Sequence, residues 1–318
     1  QDSVERIDTK KENRTPLVQA WYILSPIAVI SAFIFYFFKH LFPMIDLPPW
    51  DNQGGGDPLL HAVFIKIIME TGWLNHSPRL GAPFGLDLFD FPGSDGTFTV
   101  LIKILALFSS NPSEVMNLFY ICGFVMIYTV AYFVLRDFKI TTPWAIVGAI
   151  IYTCMPFHFM RGMSHLYLSN YFVIPIWVWL AVRIYELSGP KAEDCRNPSW
   201  LYLPALIVAG TSGVYYAFFG MLITSVAAVV GMVENRSWRG IKYWLPLVVI
   251  VCLAILINIS PSLVYWFQYG TNPTVATRSA YESDFYGLRI MQLLLPTGGR
   301  NNHILDNFGY SYRSALTP

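Results

Sequence analysis

Residues 243–267 read YWLPLVVIVCLAILINISPSLVYWF, a stretch with no charged side chain. A helix needs roughly 20 apolar residues to cross a hydrocarbon core about 30 Å thick, and this run supplies them. Comparable runs stand at Leu17–Phe42, Val115–Leu135, Pro143–Phe159, Leu166–Leu187, Trp200–Tyr216 and Ala217–Val233. The sequence therefore predicts an all-α polytopic membrane protein with about seven transmembrane helices. The pair Trp200–Tyr216 and Ala217–Val233 is short and meets at Gly213-Val-Tyr-Tyr-Ala-Phe-Phe-Gly220. It reads as a hairpin whose turn lies within the outer leaflet, or else as one long kinked helix.

Composition agrees with this class. Of 318 residues, 54% are hydrophobic and only 13% charged, about half the charge of a soluble domain. A net charge of +1 argues against a nucleic-acid partner, which calls for a clustered basic surface. Gln1 rather than Met at the start reads as a processed chain or part of a longer product.

Lys and Arg orient the spans. Arg6, Lys10, Lys11 and Arg14 precede the first run. Arg136 and Lys139 follow the second, Lys191 and Arg196 the fourth, and Arg236, Arg239 and Lys242 the sixth. Seven crossings put all of these on one side, with the N-terminus cytoplasmic, whereas the short outer loops hold a single basic residue, Arg161. The expected organisation is a cytoplasmic tail over 1–16 and a transmembrane module over 17–267 that includes an outer loop at 43–114. An outer, periplasmic segment follows over 268–318. Cys122, Cys154 and Cys252 fall in spans and Cys195 in an inner loop, so they read as small apolar fillers rather than disulfide partners.

The outer loop carries two helical stretches too short to span. In Pro58–Trp73, Leu59, Ala62, Val63, Lys66, Ile67 and Glu70 recur at helical spacing. Thr97–Phe108 repeats the pattern, with Lys103 able to snorkel. Both suit the membrane interface, and the Gly/Pro-punctuated stretch 75–88 between them reads as coil. No phosphate-binding Walker loop, dinucleotide fingerprint or zinc spacing occurs.

The loop reads Asp51-Asn-Gln-Gly-Gly-Gly-Asp57-Pro-Leu-Leu-His61, then Glu70-Thr-Gly72-Trp73, Pro78 and Gly81-Ala-Pro83. This resembles the first external loop of the GT-C superfamily of membrane glycosyltransferases, closest to the YfhO-like and aminoarabinose-transferase-like branch. Looser matches are Pro156-Phe-His158, Arg161-Gly-Met-Ser-His165, Gly213-Val-Tyr-Tyr216, Glu282-Ser-Asp284-Phe-Tyr-Gly287 and Leu294-Leu-Pro296. The resemblance implies an inverting transferase that moves a sugar from a polyprenyl-phosphate donor to an acceptor hydroxyl on a glycan, lipid or protein. It implies a bacterial inner membrane and an outward-facing site.

Such a reaction needs a base for the acceptor hydroxyl and cations for the leaving phosphate. The resemblance assigns the base to Asp57, with Asp51 the rival. Asp57 before Pro58 is equally a plain helix cap, and the two roles are compatible. Arg161, His165, Arg278 and Arg289 are candidate phosphate ligands, although Arg161 and His165 also suit an ordinary membrane interface. His61, Glu282 and Asp284 are candidate acceptor or loop contacts. A divalent metal, Mg or Mn, is left open because no tight ligand spacing occurs. Two other classes fit the pattern: a transporter or flippase of a lipid-linked substrate, and a non-catalytic GT-C-like subunit of a membrane complex.

Overall fold

The computed structural model describes residues 27, 28, 30–32, 35, 36, 57–91, 95–189, 202–273, 275 and 280. The chain divides into two compact units, Gln1–Gly270 and Thr271–Pro318, and the description below concerns the first. In chain order it contains α1 (Asp57–Thr71), β1 (His76–Ser77), β2 (Leu86–Asp87), α2 (Gly96–Leu105), α3 (Pro112–Asp137) and α4 (Thr142–Thr153). There follow α5 (Pro156–Arg161), α6 (Leu166–Ser169), α7 (Val173–Ser188), α8 (Tyr202–Thr211), α9 (Val214–Asn235) and α10 (Arg239–Tyr269).

The protein is a helical membrane protein. Among the described residues, four helical stretches are long and apolar enough to cross a bilayer: α3, α4 continued by α5, α9 and α10. The run Leu17–Phe42 lies largely outside the described residues. Leu166–Leu187 is not one helix. It breaks at Asn170–Phe172 into α6 and the 16-residue α7. Pro175 in the first turn of α7 explains this, because it has no N–H to bond the carbonyl four residues back. Within the described part of Trp200–Tyr216, α8 ends at Thr211 rather than at Tyr216.

The turn expected between Gly213 and Gly220 is confined to Ser212-Gly213. Gly213 takes φ +116°, a conformation open to glycine, and α9 starts at the next residue. Gly220 is instead a packing residue. Its face meets the buried Trp177 indole, and Gly231 meets Ser188 in the same way. Position 177 pairs with 220 and 188 with 231, so α7 and α9 run parallel, brought close by small residues. Tyr202, at the start of α8, lies 4.7 Å from the Trp179 ring. The end of α8 abuts the start of α9, so α8 runs against both neighbours and the pair α8–α9 is a hairpin.

Local chemistry explains the long helices. Asn111 caps α3 by accepting from Ser113 N at 2.9 Å, with Pro112 at the first position and Glu114 in the first turn. In α10, Pro261 cannot donate to the Ile257 carbonyl, and the Ser260 hydroxyl donates to it instead at 2.8 Å. One end of the bundle collects the ion pairs. Arg183 bridges Asp137 and Glu186, Asp137 accepts from Trp179 Nε1 at 2.7 Å, and Tyr185 donates to Glu234 at 2.6 Å. Arg136, Lys139, Arg236 and Arg239 follow or begin the helices at this same end.

Candidate functional site

The opposite end carries α1, the β-hairpin and α2, packed on α3. Helix α1 buries Phe64, Ile65 and Ile68, with His61 one turn earlier on the same stripe. The stripe expected from Leu59, Ala62, Val63, Lys66, Ile67 and Glu70 is divided: Ile67 is buried and Ala62 and Val63 pack against the core, whereas Leu59, Lys66 and Glu70 are exposed. The physical reason is charge, since the 61/64/65/68 stripe can be desolvated without burying Lys66 or Glu70. Helix α2 buries Phe98, Ile102 and Leu105.

The first turns of α1 and α2 converge on Tyr167 of α6. The His61 ring centroid lies 5.0 Å from that of Tyr167, edge-on. Phe98 stacks on Tyr167 at 5.5 Å, and Phe119 of α3 closes the group at 5.8 Å. Asp95 is the N-cap residue of α2, yet its side chain makes no capping bond. It lies within electrostatic reach of the Tyr167 hydroxyl. The residue as a whole keeps some solvent contact, but its carboxyl is desolvated enough that burial pushes it up from 3.8 to about 6. No hydrogen bond or ion pair reaches that carboxyl among the described residues. A poorly solvated acid titrating near neutrality is the kind of group that general acid–base chemistry uses.

Asp95 was not singled out by its sequence context. The signal available was its place just before the helix predicted from Thr97. The desolvation comes from burial in the folded chain, which no local stretch of sequence displays. Asp57, the expected base, is the first residue of α1, and its side chain lies outside what is described, as does Asp51 entirely. Arg161 ends α5 with its guanidinium 5.5 Å from the Phe157 ring. His165 starts the next turn, its N–H donating to the Arg161 carbonyl at 3.0 Å, two residues before Tyr167. Arg278, Glu282, Asp284 and Arg289 lie outside the described residues. Among the described residues no group of three His, Cys, Asp or Glu could hold a metal.

The segment read as coil contains a small hairpin. His76 pairs with Asp87 and Ser77 with Leu86. His76 Nδ1 and Asp87 Oδ1 are 2.9 Å apart, and the Tyr265 hydroxyl donates to Asp87 Oδ2 at 3.2 Å. Phe89 stacks on Tyr265 at 4.5 Å. The hairpin is thereby fastened to the end of α10.

Beside it lies a cavity of about 830 Å³ between α2, α8 and α10. Its walls are apolar, among them Val100, Ile207, Leu253 and Ile257, all exposed at the surface. A polar edge is formed by Asn75, Thr97, Thr211 and Asn258, with the Thr97 and Thr211 hydroxyls 2.7 Å apart. Gly96 and Thr97 line this edge, immediately after Asp95.

These features define a helical integral membrane protein in which a loop module places a desolvated carboxyl next to an apolar cavity. The chain belongs to the family described as a domain of unknown function (DUF6311), whose model matches residues 27–312. Neither a curated protein nor a solved structure matches it.

Proposed function

We infer that the protein is an inverting glycosyltransferase that takes a sugar from a polyprenyl-phosphate donor and passes it to an acceptor hydroxyl at the outer membrane face. The observation that carries this reading is the convergence of the first turns of α1 and α2 on Tyr167, next to an apolar cavity with a polar edge. A lipid chain suits the cavity and a sugar hydroxyl suits the edge. The base is one of the two acids that open these helices: Asp57, indicated by the loop pattern, or Asp95, which the fold adds. Arg161 and His165, on the turn before Tyr167, are the nearest candidates for the donor phosphate.

The remaining topology follows the same reading. Seven crossings with the Arg183–Asp137 end cytoplasmic would place the α1–α2 module on the outer face of a bacterial inner membrane, in keeping with the excess of basic residues at the other end.

The test is transfer from a polyprenyl-phosphate sugar by purified protein, with Asp57→Asn and Asp95→Asn compared with the parent. Loss of turnover in at least one variant, with unchanged folding, is expected. Full transfer by both variants would overturn the mechanism. Movement of the lipid across the bilayer with no transfer would favour a flippase.

A further inference from the structure

At the end of the bundle that carries Arg183, charges are sorted by sign. Among the described residues, the acidic groups there are engaged inside the fold. Asp137 at the end of α3 and Glu186 both hold Arg183, and Glu234 near the end of α9 accepts from the Tyr185 hydroxyl. Arg183, Tyr185 and Glu186 lie within one turn of α7, so the ends of α3 and α9 are fastened to the same stretch.

The basic groups are left outside. Lys139 stands two residues after Asp137, Arg236 two residues after Glu234, and Arg239 and Lys242 in the first turn of α10. All four are exposed. Arg136 is engaged with the Ile140 carbonyl, and Lys139 lies within electrostatic reach of Asp137. Among the described residues no ion pair or hydrogen bond reaches the side chains of Arg236, Arg239 or Lys242. Arg239 and Lys242 are three apart on one helix, where like charges repel, so a counter-anion relieves them.

Two tryptophans show what lies against this surface. Trp144, in the first turn of α4, is 71% exposed and Trp238, just before α10, is 78% exposed. Exposed tryptophan at the ends of apolar spans seats at the headgroup level of a bilayer. Helices α9 and α10 are both long and apolar enough to cross, so the turn at 236–238 that joins them emerges at a bilayer face, among lipid headgroups.

We propose that Lys139, Arg236, Arg239 and Lys242, framed by Trp144 and Trp238, form a docking surface for anionic phospholipid headgroups. Charge complementarity selects this occupant. A zwitterionic headgroup brings no net charge to the unmatched cations, whereas phosphatidylglycerol brings one anionic phosphate, which arginine meets with paired N–H donors and lysine with a point charge. A headgroup that binds only the folded arrangement adds to its stability. The surface is independent of the transferase reading and of which compartment this end faces.

The test uses the full chain in nanodiscs of phosphatidylcholine, alone or mixed with phosphatidylglycerol. The unfolding temperature should rise by several degrees with phosphatidylglycerol and fall back in high salt, which screens exposed charge. Joint replacement Lys139→Gln, Arg236→Gln, Arg239→Gln and Lys242→Gln should remove most of that rise, whereas Lys103→Gln at the opposite end should leave it. Equal stability in the two bilayers, or a rise that survives the joint replacement, would overturn the proposal and leave the surface to a soluble acidic partner. Should the multiple variant fail to fold, the parent labelled with 5-fluorotryptophan decides. Its Trp238 fluorine signal, assigned by its loss in Trp238→Phe, should shift as the phosphatidylglycerol fraction rises and return in high salt. A signal indifferent to lipid charge overturns the docking surface.

Discussion

Trp177 rests directly on Gly220: a Cβ at position 220 would overlap the indole at Cδ2, Cε2 and Cγ. The indole is 2% exposed and has no room to withdraw. Gly220→Val should therefore destabilise the protein by about 1–3 kcal/mol or more, the range for overpacking a tight core. Thermal unfolding in detergent would show it. Trp177→Leu in the same chain should recover part of the loss, whereas an unrelated effect of valine would not respond.

Asp95 predicts a pH dependence. Its carboxyl is raised from 3.8 to about 6 in the folded protein. Between those values the folded state holds a proton that the unfolded chain has released, so stability falls as pH rises from about 4 to 6. Asp95→Asn removes that penalty. The variant should match the parent near pH 4 and exceed it in unfolding temperature at pH 7.5. Equal stability at both pH values would show that the carboxyl is well solvated.

Ser260 compensates for Pro261. Ser260→Ala should cost about 1 kcal/mol, the usual worth of a hydrogen bond whose loss strands a carbonyl. In a Pro261→Ala background the cost should shrink, because that substitution restores a main-chain N–H able to bond the Ile257 carbonyl. Undiminished loss in that background would assign the Ser260 effect to packing.

Ala254 lines the cavity and is small. Ala254→Phe should crowd it and raise the KM for a polyprenyl-phosphate donor several-fold, and because Ala254 is also buried against Gly210 the unfolding temperature should fall as well. An unchanged KM would place the donor elsewhere.

How much of this was legible depended on whether a signal was local. Helix α10 was plain in the uncharged run at 243–267, and α3 in Val115–Leu135 with its Asn111-Pro112 cap. Gly220 misled because glycine beside aromatics looks like a turn, and only the neighbouring Trp177 reveals it as a contact. The break before α7 was hidden inside an apolar run, although Pro175 marked it. The hairpin rests on a cross-strand pair, His76 with Asp87, that no short window displays. The site was half visible. A helix starting at Asp57 could be read, whereas the weight of Asp95 depends on a burial that only the fold creates.

The apolar wall of the cavity has a consequence for how reactants reach this protein. Val100, Ile207, Leu253 and Ile257 line it and are all exposed at the surface, so in a bilayer it would be reached through the lipid. A lipid-linked donor entering there, as the proposed function has it, would diffuse in two dimensions within a leaflet, not in three through water. Its availability is then a mole fraction among lipids. Affinity measured for this cavity should change with bilayer composition and dilution by inert lipid, while the volume of the aqueous sample should leave it untouched.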